Sequence, residues 1–363
     1  MNNQSKTDIN ACLADLADWK KIVEKRLWII FQNERKSIGN TSPSLREGFH
    51  QLEEFTMRSA SKRIRAYLVK LGYQSSGKRP PKKLADISAA VELIHSYLLI
   101  HDDIIDRDEL RRGGPTVHEA FRRKLSGSTQ ERRFRGVALA ILIGDYASNL
   151  AYKVFIKSTW PDDKIRQSLD EVYKNLLEYT LVGQFMDVEQ TWQRRVNSKL
   201  VEKIAEYKTA YYTFNGPLQI GAVFAGASQS TRRTLTKYSV PVGIGFQLVD
   251  DIIGFIGSKE SGKSSNDIKE GKISAIILKA RKYLKTKDRK KLDLLIKKEH
   301  RNTREVDQIR SLVGQTPALS FIKKQAINLA QKGKTTIARS RHINKKCANM
   351  LSVISDLSVN RNR

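Results

Sequence analysis

The stretch "LADISAAVELIHSYLLIHDDIIDRD" at residues 84–108 decides the fold class of this chain. Its 25 residues contain neither glycine nor proline, and a rise of 1.5 Å per residue predicts one helix of about 37 Å. Apolar side chains fall on most sides of that helix, which is typical of a central helix rather than a peripheral one. The chain therefore needs further helices to surround it.

Helical periodicity continues on both sides of this stretch. An amphipathic helix is predicted at about 8–36, where apolar residues recur at spacings of three, four and seven. Further helices are predicted at 136–157, 163–190, 198–224, 231–257 and 272–286. Alternation of strands and helices is absent from the pattern. We predict an all-α, single-domain bundle of long helices over residues 1–363, with a basic helical part at about 281–363.

Composition narrows the class of protein further. Hydrophobic residues make up 40% of 363 residues, enough to build a folded core. The two cysteines, Cys12 and Cys347, have no metal-ligand spacing and favour a reducing compartment. The N-terminal residues lack a signal-peptide pattern, and the longest apolar runs look too short for a membrane span. A cytoplasmic protein is expected.

The net charge of +28, from 66 basic and 38 acidic residues, is unevenly distributed. From Arg281 to the end there are 22 Lys and Arg against six Asp and Glu. An anionic membrane surface or nucleic acid could bind that charge, and a solvated helix face is the simpler interpretation. Aromatic residues are not interleaved with the charges as in single-strand binders, so a nucleic-acid partner is disfavoured.

Carboxylates follow the central helix in "HDDIIDRDELRRGGPTVH", residues 101–118. Asp102 and Asp106 are four residues apart, so both project from one helix face. Mg²⁺ prefers oxygen ligands and completes its shell with water and substrate phosphate. Arg111 and Arg112 follow at once and suit phosphate oxygens. A metal and phosphate site is predicted here, with a solvated acidic turn as the alternative.

A second acidic pair, Asp250 and Asp251, stands inside the apolar helical run "FQLVDDIIGF". Buried neighbouring carboxylates are costly unless a metal or a basic residue neutralises them. If this helix faces the one that carries Asp102, two acidic walls would clamp a diphosphate through several Mg²⁺ ions. A pair neutralised by Arg or Lys in the core remains the alternative.

These segments, taken together, resemble the trans-isoprenyl diphosphate synthases over roughly residues 58–285. The motifs that carry the resemblance are "SKRIRA" (61–66), "VELIHSYLLIHDDIIDRDELRRGGPTVH" (91–118), "AILIGDYA" (140–147), "GQFMD" (183–187), "EYKTAYYT" (206–213) and "GFQLVDDIIGF" (245–255). The sequence departs from the family pattern at Ser61, Ala66 and Gly254, where many relatives have glycine, proline and a third aspartate.

The resemblance implies the isoprenoid synthase fold, a helical bundle around a central cavity, and a Mg²⁺-dependent condensation of isopentenyl diphosphate with an allylic diphosphate (dimethylallyl, geranyl or farnesyl). About three Mg²⁺ ions would be held by Asp102, Asp106 and Asp250. The allylic diphosphate would be neutralised by Arg111, Lys208, Lys263 and Lys272, and the allylic cation stabilised around Lys208, Thr209 and Gln247. Isopentenyl diphosphate would be bound by Lys62, Arg65, His95 and Arg112. The resemblance also implies a homodimer.

The string "GSKESGKS" at 257–264 fits the phosphate-loop pattern of nucleotide-binding proteins. Such a loop requires a strand before it and a helix after it, and the helical pattern of the chain provides no strand. By the resemblance, Lys263 binds the allylic diphosphate, and the phosphate-loop match is a coincidence.

Product length follows, by the resemblance, from bulky side chains before the first aspartate motif. Tyr97 and Leu98 stand five and four residues before Asp102. This arrangement is similar to that of geranylgeranyl (C20) synthases, with a farnesyl (C15) or longer product as the alternative. Other interpretations are a terpene cyclase, a silent partner subunit, a basic helical protein that binds nucleic acid or membrane, and a phosphate-loop NTPase.

Overall fold

Helices account for almost all of the regular structure. The computed structural model describes residues 3–39, 41–191, 196–257, 268–269, 271–298 and 300–361. Within these ranges the strands form one short hairpin, so the predicted all-α class is confirmed. The chain divides into two compact units, Met1–Lys70 with Arg79–Gln167 and Leu71–Lys78 with Ser168–Arg363. The single-domain prediction stays a prediction.

The first unit is built around the predicted central helix, α4, which packs against both α1 and α6. Fourteen residues of α4 are buried, including Ile87, Val91 and Ile94. This burial follows from the apolar character of most sides of the helix. The elements of this unit are α1 (Asn3–Ile38), α2 (Pro43–Met57), most of α3 (Ile64–Gln74), α4 (Leu84–Ile105), β1 (Leu110–Arg111), β2 (Gly114–Pro115), α5 (Val117–Lys124), α6 (Thr129–Ile156) and the first part of α7 (Asp162–Glu171).

The second unit has α11 as its central helix, packed on a π-helical segment and on two C-terminal helices. Leu248 and Val249 of α11 join a hydrophobic core with Ile322 and Ala326. After the end of α7, the elements are π1 (Val172–Glu178), α8 (Tyr179–Glu189), α9 (Ser198–Ile204), π2 (Ala205–Asn215), α10 (Gly216–Ala225), α11 (Gln229–Ile256), α12 (Ala275–Tyr283), α13 (Thr286–Ile296), α14 (Thr303–Gly314), α15 (Ala318–Ala338) and α16 (Lys345–Val359).

Two of the predicted long helices contain π-helical stretches that the periodicity did not predict. The helix predicted at 163–190 holds π1 in its middle, and the helix predicted at 198–224 holds π2. A π stretch widens the helix locally and is frequent at functional sites. Lys208 and Thr209, both predicted site residues, lie in π2.

The loop predicted after α4 is a tight hairpin. Leu110 pairs with Pro115 and Arg111 pairs with Gly114, which leaves Arg112 and Gly113 as a two-residue turn. Both turn residues have positive φ, 52° and 77°, as turns that match the twist of a hairpin require. Arginine is costly in this conformation, and the side chain of Arg112 makes the contact with His95 that is described below.

Within the part of the chain that the structure describes, three helices are long and apolar enough to cross a bilayer by length and composition: α4, α6 and α11. The expectation that the apolar stretches are too short for a span is therefore wrong. In each helix, an 18-residue stretch is apolar enough for a span. The protein buries 72% of that stretch in α4 and 56% in α11, against 39% in α6. Burial in the protein core accounts for the apolar character of α4 and much of that of α11.

Candidate active site

The last turn of α4 carries the first predicted metal ligands. The backbone N–H of Asp106 donates to the carbonyl oxygen of Asp102 at 2.8 Å, so the i, i+4 relation predicted from spacing holds at the helix end. Both side chains are partly exposed. Carboxylates of this kind, placed one turn apart and open to solvent, suit Mg²⁺.

Arg111, from the hairpin, lies among the carboxylates of this motif. Its guanidinium forms ion pairs with Asp103, with Asp108 at 3.3 Å and with Asp102 at 3.6 Å. Burial raises the pKa of the Asp103 carboxyl to about 8, and the neighbouring Arg111 acts against that rise. Arg111 was predicted to bind diphosphate. The structure places it as the counter-charge of the aspartates, and its contact with substrate stays a prediction.

A second basic cluster forms around His95, two turns before Asp102 on α4. Its Nε2 lies 3.2 Å from Nη1 of Arg65 and 3.0 Å from Nη2 of Arg112. Burial, followed by the charges of Arg65 and Arg112, holds the pKa of His95 well below its usual range. The imidazole is therefore neutral, and because guanidinium groups only donate, Nε2 is the acceptor for both arginines. Lys62, predicted for the same site, is exposed in the loop before α3.

Arg58, which no sequence motif indicates, holds the hairpin in place. It donates to the carbonyl oxygen of Arg111 at 2.8 Å and to that of Pro115 at 2.6 Å. Gly114 leaves room for this guanidinium, because a Cβ there would lie 2.9 Å from its Cζ. No local pattern around residue 58 signals a contact that spans more than fifty residues.

In the second unit, Asp187 joins two of the predicted diphosphate-binding lysines. Its Oδ2 accepts from Nζ of Lys208 at 2.7 Å and lies 3.5 Å from Nζ of Lys272. The side chain of Gln190 donates to Oδ1 at 2.7 Å. Asp187 was not predicted as a site residue, although the motif "GQFMD" that ends on it was. This carboxylate holds two ammonium groups close together in one place.

Thr209 and Gln247, predicted to act together, are in direct contact. The hydroxyl of Thr209 donates to Oε1 of Gln247 at 2.5 Å, and Nε2 of Gln247 donates to Oδ1 of Asp251 at 2.7 Å. This chain of hydrogen bonds determines which way the amide of Gln247 points. Asp251, one member of the second acidic pair, therefore orients the side chain of Gln247.

Asp250, the third predicted metal ligand, forms an ion pair with Arg361 near the C-terminus. The guanidinium of Arg361 also lies 4.7 Å from the ring centroid of Phe246, one turn earlier on α11. The alternative interpretation of the second pair, neutralisation by a basic residue, therefore describes Asp250 in this structure. Its side chain is 26% exposed, so it is not a core carboxylate.

Residues 258–264 of the phosphate-loop string, including Lys263, lie outside the described residues. The stretch "DIIGFI" before the string is the end of α11 and not the strand that a nucleotide-binding loop requires. A helix therefore stands where the phosphate-loop interpretation requires a strand.

Tyr97 and Leu98, the predicted product-length residues, are half-buried on α4. The Tyr97 ring packs edge-to-face against His101, with the centroids 4.8 Å apart. His101 in turn lies 3.6 Å from Asp145 and fits against α6 because Gly144 carries no side chain. The aromatic ring is thus held by packing between two helices of the first unit.

The candidate metal ligands suit Mg²⁺, because they do not form a complete set of protein ligands around an ion. Among the described residues, no group of three or more His, Cys, Asp and Glu could hold a metal by itself. Mg²⁺ typically takes one or two carboxylates and keeps places for water and substrate phosphates. Asp102 and Asp106 of the first unit and Asp250 of the second offer such partial sets of ligands.

Long helices that carry aspartate pairs, with lysines and arginines close by, define an enzyme class that binds diphosphates through divalent metal ions. Residues 47–313 match the family model for polyprenyl synthetase. The chain belongs to the polyprenyl synthetase family, and the family predicted from the motifs is confirmed.

Individual relatives agree with this assignment. The chain is 28% identical over 317 residues to the geranylgeranyl diphosphate synthase of Methanosarcina mazei, covering 87% of this chain and 90% of that protein. It is 30% identical to the corresponding enzyme of Sulfolobus acidocaldarius, covering 70% and 72%. The crystal structure of a Corynebacterium glutamicum geranylgeranyl pyrophosphate synthase, complexed with isoprenyl diphosphate and magnesium, superposes with a TM-score of 0.88 at 24% identity, covering 96% and 99%.

Proposed function

We propose that this protein is a Mg²⁺-dependent prenyltransferase that condenses isopentenyl diphosphate with an allylic diphosphate and makes geranylgeranyl diphosphate. One observation carries the proposal. On α4, a carboxylate pair suited to Mg²⁺, Asp102 and Asp106, lies two turns from a cluster of two arginines around His95. A metal-binding end and an anion-binding cluster on one helix match a reaction between two diphosphates.

Each basic cluster has a part in the proposed reaction. Arg65 and Arg112 bind the diphosphate of isopentenyl diphosphate, and neutral His95 positions both guanidinium groups without adding a third charge. Lys208 and Lys272, gathered by Asp187, bind the allylic diphosphate, with Lys263 predicted beside them. Bound Mg²⁺, in a proposed number of about three, supplies positive charge to the leaving diphosphate.

The carbon chemistry needs a protected cation. The C–O bond of the allylic substrate breaks and its electron pair leaves with the diphosphate. The hydroxyl of Thr209 and the amide oxygen of Gln247, oriented by Asp251, stabilise the allylic cation. The double bond of isopentenyl diphosphate attacks that cation to form the new C–C bond, and a proton then passes to the released diphosphate. Water would convert the cation to an alcohol, so the reaction requires that water be kept from it.

Product analysis with isopentenyl diphosphate, farnesyl diphosphate and Mg²⁺ tests the proposal, with ATP hydrolysis measured alongside. We expect geranylgeranyl diphosphate, no ATP turnover, and loss of activity on chelation that Mg²⁺ restores. Asp102→Asn should lower kcat by at least about 10²-fold, whereas Asp307→Asn, a change at a carboxylate 64% exposed, should not. Failure to condense any allylic primer would contradict the proposal.

The proposed C20 product length depends on Tyr97, whose ring would form the floor, that is, the closed end, of the site that binds the growing prenyl chain. Removing the ring in Tyr97→Ala is expected to lengthen the product, because the cavity beside α4 would extend past residue 97. Tyr97→Phe keeps the ring and its packing on His101 and should leave the product unchanged. An unchanged length distribution in Tyr97→Ala would show that another residue forms the floor.

The proposal extends to assembly and location. A homodimer is expected, which sedimentation would report as twice the chain mass of 41.4 kDa. Cys12 and Cys347 are both buried thiols, which supports a reducing, cytoplasmic environment. Peripheral contact with an anionic membrane is supported by the excess of Lys and Arg after Arg281.

A further inference from the structure

The outward face of α13 combines lysines with one exposed leucine. Leu294 is 69% exposed. Three exposed lysines precede it by seven, four and three residues: Lys287, Lys290 and Lys291. The exposed Lys297 follows it by three residues. Residues at these spacings share one side of a helix. We call these five residues the basic face of α13.

The opposite side of α13 faces the protein interior. Leu292 and Leu295 are 0% and 7% exposed and belong to the hydrophobic core of the second unit. Because Leu292 and Leu295 occupy the side of the helix that faces the core, Leu294 lies on the outward side. An outward leucine on an amphipathic helix is available to an apolar environment outside the protein.

The charge of the basic face is not cancelled by the acidic residue nearest to it. Asp293 forms an ion pair with Arg281 at 2.8 Å, so its carboxylate is already neutralised. Asp288 lies in the first turn of the helix, where the helix dipole favours it. The outward face therefore presents positive charge around an apolar centre.

We infer that the basic face of α13 docks the protein onto an anionic lipid surface. Lipid headgroups attract lysines near a membrane, by about fivefold in affinity for each lysine. Long lysine side chains keep their ammonium groups at headgroup level while an apolar side chain between them enters the interface. Tyr283, 49% exposed and three residues before α13, adds a side chain that favours the membrane–water interface.

A nucleic acid would explain the lysines but not Leu294, because phosphate contacts have no use for an exposed aliphatic side chain. The inference makes the membrane contact of the proposed function specific to one face. It does not depend on the reaction, since docking can be measured without substrate.

Vesicle co-sedimentation of the full chain tests the inference. Vesicles of phosphatidylcholine alone are compared with vesicles that also contain about 30% phosphatidylglycerol. We expect binding only to the anionic vesicles, and binding that weakens as salt rises. The double variant Lys290→Glu/Lys291→Glu should bind at least about 25-fold more weakly, and Leu294→Ser should also bind more weakly at unchanged charge.

The matched control is Lys332→Glu/Lys345→Glu, which makes the same change of net charge at exposed residues of α15 and α16. It should keep wild-type vesicle binding. Equal weakening in both double variants would overturn the inference, because net charge alone would then explain binding. Absence of vesicle binding, or binding to a duplex oligonucleotide that Leu294→Ser does not affect, would overturn it as well. Prenyltransferase activity of each variant in solution, measured separately, verifies folding.

Discussion

At the scale of single residues, His95 shows how a neutral side chain can organise two positive ones. Arg65 and Arg112 come from positions 30 and 17 residues away in the chain and meet at one imidazole nitrogen. A protonated imidazole would repel both guanidinium groups and could not accept from them. The cluster therefore depends on the pKa of His95 remaining low in the folded state.

This dependence predicts how stability changes with pH. The unfolded chain protonates a histidine below about pH 6.5, whereas burial and the two arginines lower the pKa of His95 in the folded state. Stability is therefore full above about pH 6.5 and falls as the pH decreases, by up to about 1.4 kcal/mol per pH unit for one histidine. His118, whose pKa burial also lowers, adds to the slope.

Urea unfolding between pH 7 and 5 measures that slope. His95→Gln keeps an acceptor for the arginines but cannot take up a proton, so its stability should depend less steeply on pH than that of the wild type. His342→Gln, at an exposed position, is the control and should keep the wild-type slope. Parallel curves for the wild type and His95→Gln would rule out a role for His95 in this dependence.

A second residue-scale prediction concerns Arg361. Its ion pair with Asp250 places a positive charge where the proposed function requires Mg²⁺, so the two cations compete. Arg361→Gln is expected to lower the Mg²⁺ concentration for half-maximal activity by about 1.5- to 5-fold, the range for a partly exposed ion pair. Arg361→Lys keeps the charge and should stay close to wild type. A higher Mg²⁺ requirement in Arg361→Gln would instead assign Arg361 to diphosphate binding.

At the scale of elements, the π stretch π2 and helix α8 pack closely where the lysine cluster forms. Gly183 of α8 faces the backbone of Lys208, and a Cβ on Gly183 would overlap that backbone nitrogen. The same approach of α8 brings Asp187, one turn later, to Nζ of Lys208. The absence of a side chain at residue 183 is thus a condition for the site.

Gly183→Ala is therefore expected to destabilise the protein by about 1–3 kcal/mol, as overpacking does, and to lower activity by moving Asp187 from Lys208. Thermal unfolding and steady-state kinetics measure the two effects. Gly314→Ala in α14 is a matched control, because no atom lies within 4 Å of its added Cβ. That variant should be at least as stable as the wild type, because alanine favours a helix more than glycine does. Equal behaviour of the two variants would contradict the packing argument.

At the scale of the whole molecule, the net charge of +28 opposes compactness through self-repulsion. Salt screens that repulsion, with a Debye length that falls from about 30 Å at 0.01 M to about 8 Å at 0.15 M. Tm is therefore expected to rise between these salt concentrations, by about 1–2 °C for each kcal/mol gained, because the entropy of unfolding grows with chain length.

Calorimetry at several NaCl concentrations checks this expectation. The double variant Lys332→Glu/Lys345→Glu lowers the net charge by four and should show a smaller rise in Tm. A Tm that falls with salt would mean that the surface ion pairs, such as Lys334 with Asp356, outweigh the repulsion.

Sequence periodicity was enough to predict the helices and the contacts between residues one helix turn apart. The apolar run at 84–108 became α4, and the four-residue spacing of Asp102 and Asp106 became one helix turn, because backbone hydrogen bonding relates such residues directly. The order of the motifs was enough for the family. The same reasoning missed π1 and π2, since one extra residue per turn leaves little trace in the hydrophobic pattern.

Only the tertiary structure decided the partners of the charged residues. Asp187 meets Lys208 from 21 residues away, and Arg361 meets Asp250 from 111 residues away. Such contacts depend on which helix faces pack together, and no local backbone preference determines that choice. The sequence by itself therefore determined the fold class, the family and the candidate residues. Packing between distant helices decided which of those residues neutralise one another.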